Sequence, residues 1–176
     1  MSRLITLALY DRDNFSRGNA RRTFGYEAYH WGIIIMPEGS QERDCIAFEA
    51  TDASTIDPVT FRMNNPTMDW FMRRKDESDP EFGTKLLGCI IIGQVPDAIS
   101  NAQLEALFGT VPLPVKNTHP QQSCVTWAID AIRVLQKQGW ASQFELNGFK
   151  DWALYYADER IKTGLSREPE IAYYRV

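Results

Sequence analysis

The chain has 176 residues, 44% hydrophobic and 24% charged, with 19 basic and 23 acidic side chains and a formal net charge of −4. A single domain of this size buries about two thirds of its unfolded surface, so it needs no metal or disulfide staple. Interspersed, slightly acidic charge excludes the basic footprint of a nucleic-acid or anionic-membrane binder, and no run reaches the roughly 18–20 apolar residues of a membrane span.

In chain order, residues 3–10 alternate and lead into charges, which predicts a first strand and not a signal peptide. Residues 11–24 read as a polar connection. Residues 29–36 are β-rich and are stopped by Pro37-Glu38-Gly39-Ser40, and residues 45–51 resume extended structure. An antiparallel hairpin turning near Gly39-Ser40 is therefore expected. Residues 52–83 carry Pro58, Pro66 and Pro80; they are assigned a short strand at 60–63 and an irregular excursion around Trp70-Phe71-Met72. Within them, Arg73-Arg74-Lys75 runs into Asp76, Glu77 and Asp79 and reads as a solvated turn. Residues 86–93 form the most apolar run, a central strand buried on both faces.

Three helices are predicted next. The first is capped by Ser100 and ends at Gly109. The second covers residue 123 to about 138, with Val125, Ala128, Ile129, Ile132 and Leu135 at helical spacing. A third, around 148–161, ends before Gly164, and the tail 168–176 supplies an edge strand. Strands first and helices last predict an α+β fold. An antiparallel sheet packs against a buried cysteine-bearing helix, in one domain over 1–176.

Two histidines and three cysteines allow every thiol–imidazole pair to be enumerated. Cys45 and Cys89 lie in apolar strands and read as inert core. Cys124 follows the polar loop Asn117-Thr118-His119-Pro120-Gln121-Gln122-Ser123 and opens an otherwise apolar helix. The positive helix end and its unpaired N–H groups stabilise a thiolate and can hold an oxyanion. Two helix starts are compatible with this run: Ser123 as cap, or Pro120 in the first turn, which would move Cys124 away from the tip.

His30 is the expected base, since a hairpin turning at Gly39-Ser40 sets Glu49 opposite it on the same face, able to orient the imidazole. Asp44 and Asn117 are weaker candidates for that orienting role. His119 is the competing base, five residues before Cys124 but followed by Pro120. Gln121 and Gln122 can add an amide to an oxyanion hole or be plain loop. Ser123 is better read as a helix cap than as a nucleophile. Trp31, Trp70, Phe71, Trp127, Trp140 and Trp152 either line an apolar pocket or fill the core.

At these residues the sequence resembles the circularly permuted papain-like proteins of the NlpC/P60 superfamily, including the lecithin:retinol acyltransferase-like and PPPDE peptidase groups. In those proteins a strand histidine comes first and the cysteine opens a later helix. Tyr29-His30-Trp31-Gly32-Ile33-Ile34-Ile35 looks like the histidine strand, and Ser123-Cys124-Val125-Thr126-Trp127 looks like the helix start with its Cys-x-x-Trp pattern. The chain looks closest to a group of small proteins of filamentous fungi. Two departures are Ser123, where relatives often have Asn, and Glu49, where they commonly carry a His or another polar residue.

The resemblance implies a cysteine-dependent hydrolase, amidase, peptidase or acyltransferase working through a thioester, with Cys124, His30 and Glu49 as its machinery. The expected partner is a small-molecule, peptide or acyl substrate. Scattered carboxylates and two histidines give no metal-ligand spacing and no cofactor is expected; reduced thiols suit the cytoplasm. The rivals are a papain-like binding or scaffold protein without acyl chemistry, and a small-molecule tailoring enzyme of secondary metabolism using the same pocket.

Overall fold

The computed structural model describes residues 2–39, 44–163 and 170–174. Its strands are β1 (Arg3–Asp11), β2 (Tyr29–Pro37), β3 (Ile46–Thr51), β4 (Thr55–Ile56), β5 (Met63–Asn64), β6 (Phe71–Asp76), β7 (Leu86–Val95) and β8 (Glu170–Tyr173). Its helices are α1 (Gly18–Phe24), α2 (Asn101–Gly109), α3 (Cys124–Lys137) and α4 (Leu146–Lys162). Six strands make one sheet in the order β6-β3-β2-β1-β7-β8, antiparallel except for the β7–β8 pair, while β4 and β5 pair separately. The fold is thus α+β with a mostly antiparallel sheet.

Side-chain alternation gives the sheet two different faces. Ile5, Leu7 and Leu9 of β1, Trp31, Ile33 and Ile35 of β2, and Ile46, Phe48 and Ala50 of β3 enter the main core. There they meet the apolar stripe of α3, including Val125, Ala128, Ile129, Ile132 and Leu135. Burying each such aliphatic side chain contributes roughly 1.5–3 kcal/mol. That packing, more than the propensity of a sequence rich in β-branched residues, holds α3 in place. The other face is smaller, with Ala8, Tyr10, Ile34, Cys45, Ala47 and Cys89 packed under Met36, Phe82 and Leu86.

The middle of the sheet and the three long helices agree with the sequence reading. β7 is buried through Leu87, Cys89, Ile90 and Ile92. Ser100 caps α2 in a capping box with Gln103. α4 begins two residues early, at Leu146, because the Glu145 carboxylate accepts the Asn147 and Gly148 N–H groups. That helix ends at Lys162 with Thr163 as its C-cap, before Gly164 as expected, whereas Ser40 of the turn and parts of the tail strand lie outside the described residues.

Two stretches differ from expectation. The connection 11–24 contains α1, which buries none of its own side chains and so carries no apolar period to read. In 52–83 the expected strand at 60–63 is replaced by the β4–β5 pair, and the supposed solvated turn at Arg73-Arg74-Lys75 is the body of β6. β6 pairs along its full length with β3, from Thr51–Phe71 to Ile46–Asp76.

Candidate active site

Ser123 has extended backbone and caps α3. Its hydroxyl accepts the Val125 N–H at 3.2 Å and the Thr126 N–H, and its own N–H donates to Thr126 Oγ1 at 3.1 Å. Cys124 is therefore the first helical residue, and the helix start at Ser123 is the one realised, with Pro120 outside it. The cap engages the second and third amides of the helix and leaves that of Cys124 itself beside the sulfur.

β2 and β3 pair through Ile33–Phe48, Ile34–Ala47 and Ile35–Ile46. This register is two residues away from the expected one, so Glu49 runs beside Gly32 and not directly opposite His30. A slide of two positions keeps a side chain on its face, and the diagonal neighbour remains within reach of a glutamate. Gly32 clears the path: a Cβ there would lie 3.4 Å from Glu49 Cβ and 3.2 Å from the Phe48 carbonyl oxygen. Across this gap the Glu49 Oε2 atom accepts a hydrogen bond from His30 Nε2.

Past that ladder, β2 and β3 continue to Tyr29 and Thr51 without pairing to each other, while β1 and β6 still pair with their outer sides. At this end of the sheet Cys124, which belongs to the helix-side core, adjoins the His30 ring. With Nε2 engaged by Glu49, Nδ1 is the nitrogen left to face it. Cys124 exposes 5% of its surface and the His30 side chain 24%, so solvent meets the pair mainly over the imidazole.

The electrostatics follow from these contacts. Burial works against a charged His30, but attraction to the Cys124 sulfur and its hydrogen bond, with Glu49 behind, overcome it and push the imidazole up to about 9. Burial would likewise raise the Glu49 carboxyl, yet His30 and Lys75 hold it well below the usual carboxylate range. Burial pushes the Tyr10 phenol well up, the Glu49 charge adding to it, so the ring 5.5 Å from His30 stays neutral.

Arg73 and Lys75 complete the cluster and were not legible as site residues. Their strand was read as a turn, and only β3–β6 pairing brings them to Glu49. The remaining polar candidates lie on loops. His119 and Gln121 are exposed on the loop before α3. Gln122 accepts the Val115 N–H at 2.8 Å, which leaves its NH2 as the end that can donate to a substrate. Asp44 precedes β3 at the end away from Glu49, and Asn117 is exposed in a turn.

Trp31 and Trp127 cannot line an accessible pocket, because both have no exposed surface. Trp31 donates to the Tyr26 carbonyl at 3.0 Å, and Trp127 packs near Phe108 in the core. The other tryptophans are also drawn into the main core, Trp152 stacking on Tyr156. Cys45 and Cys89 are buried on the second face. An open groove bounded by Ser2, Gln94, Asp97 and Trp140 lies at the opposite end of β1 and β7.

Among the described residues, no three His, Cys, Asp or Glu side chains gather as metal ligands, and no helix is long and apolar enough to cross a membrane. Residues 2–166 match the family described as "Family of unknown function (DUF6914)", and the chain belongs to it. No curated protein and no solved structure matches the chain.

Proposed function

We propose that this member of the DUF6914 family is a cysteine-dependent acyl-transfer enzyme on a circularly permuted papain-like fold. The observation that carries the reading is the meeting of Cys124, at the tip of α3, with a histidine whose far nitrogen is held by a buried carboxylate. His30 takes the thiol proton at Nδ1, and the sulfur attacks the carbonyl carbon of an amide, ester or thioester. The carbonyl electron pair moves to oxygen, where the Cys124 N–H at the helix tip is the donor. As the tetrahedral species collapses, His30 gives its proton to the leaving group and a thioester remains on Cys124. Water or another acceptor, deprotonated by His30, then releases the acyl group and restores the thiol.

Glu49 orients the ring and stabilises the imidazolium without taking its proton, the third-member role of a triad. Reduced thiols at Cys45, Cys89 and Cys124 suit a reducing compartment such as the cytoplasm. The test is to trap the acyl-enzyme with p-nitrophenyl acetate and map the acetyl group by peptide mass. The adduct is expected on Cys124, absent from Cys124→Ala and reduced to a trace on that thiol in His30→Ala. Acetylation confined to lysines or to the other cysteines would refute the assignment.

A further inference from the structure

Resting on the reading above, we propose that Arg73 and Lys75 are positioning residues that anchor Glu49 through one oxygen so that its other oxygen faces His30. Alternation along β6 puts the two on one face: Arg73 lies directly across from Glu49 and Lys75 across from Ala47. Arg74, between them, points the other way and pairs with the exposed Glu105 at 3.0 Å.

Both cations converge on the same atom. Arg73 donates from Nε at 2.9 Å and lies 2.8 Å away through Nη2, and the Lys75 ammonium is 2.9 Å away, all to Glu49 Oε1. His30 holds Oε2. Division of labour between the two oxygens fixes the carboxylate's rotation as well as its charge. Two basic side chains on one carboxylate also make it a poor proton acceptor, so the imidazole proton stays on the ring.

The surroundings leave Glu49 little alternative. Lys75 exposes only 6% of its side chain, and its ammonium lies 5.4 Å from the centre of the Tyr10 ring, which itself adjoins His30. The groups facing the carboxylate are Tyr10 from β1, His30 from β2 and the two cations from β6. Cys89 of β7 stands beside Tyr10, Cys124 of α3 beside His30, and Glu81 holds the outer side of Arg73 at 3.5 Å. A purely structural ion pair would need neither the shared oxygen nor the orientation towards the ring.

The test is the NMR titration of the His30 imidazole in the full chain, which has two histidines and is assigned with His119→Gln. The wild-type midpoint is expected near 9. Arg73→Gln and Lys75→Met should each lower it by roughly one pH unit, as the freed carboxylate leaves the ring. Arg73→Lys and Lys75→Arg should recover most of that shift. Removing a positive charge without loss of orientation acts oppositely: it relieves repulsion on the imidazolium and raises the midpoint. A fall supports the anchoring role, and an unchanged or higher midpoint overturns it. Arg73 is partly exposed, so Arg73→Gln decides the matter if Lys75→Met does not fold. No turnover enters this measurement, so it stands or falls separately from the acyl-enzyme experiment.

Discussion

His30→Ala should lower turnover of any acyl substrate of the wild-type protein by about a thousandfold, within the range that a positioned general base contributes. His30 receives the thiol proton, returns it to the leaving group and activates the acceptor, so its loss affects both halves of the reaction. The effect should fall on kcat as well as kcat/KM, because His30 gives its proton to the leaving group and activates the acceptor only after substrate is bound. Cys124→Ala should be at least as severe. His119→Ala should stay within about twofold of wild type, since that ring sits exposed on the loop before α3. Steady-state rates of the three variants on one substrate check this. A large loss in His119→Ala with His30→Ala active would assign the base to the loop.

Glu49→Leu should lower the free energy of unfolding by about 3–5 kcal/mol, the cost of leaving a buried charge without its partner. The carboxylate is 1% exposed and is shared by His30, Arg73 and Lys75; its removal strands an ammonium that is itself 6% exposed. Lys75→Met should cost less, because Glu49 keeps two cations. Denaturant unfolding at pH 7 measures both, and its pH dependence gives a second signature. The His30 value is raised from 6.5 to about 9, so its contribution is fully present below pH 6.5 and disappears as pH rises through 9. The Glu49 value is depressed from 4.5, so its contribution is present above that pH and is lost only on further acidification. In Glu49→Leu the acid-side slope should disappear and the alkaline one shrink in part, since Cys124 still acts on His30.

The part of the site built from local chemistry was readable in advance. A serine before an apolar helical stripe is a cap signal, one of two starts the run allows, and the structure realises it with Cys124 at the tip. The face shared by His30 and Glu49 was readable too, because strand alternation has a period of two and the hairpin slid by two positions. The exact partner was not readable, since it depends on a turn whose geometry the sequence does not specify.

β6 was hidden for a different reason. Its residues Phe71–Asp76 are mostly charged, and the strand exists through pairing with β3, whose Glu49 forms ion pairs with two of them. Local propensity has no access to a partner 24 residues away. Trp31 and Trp127 illustrate the converse: the spacing of a core aromatic and of a pocket wall is the same, and only the packed structure shows that both are sealed.

The most direct test of the pairing between Cys124 and His30 is the rate of iodoacetamide alkylation at Cys124, followed by peptide mass in the native protein at pH 7. Activation by His30 predicts labelling about tenfold or more faster than a free thiol of ordinary pKa, falling to or below that reference in His30→Ala, with Cys45 and Cys89 unlabelled in both. Labelling no faster than the reference thiol and indifferent to His30 would contradict it and leave a protein that binds without acyl chemistry.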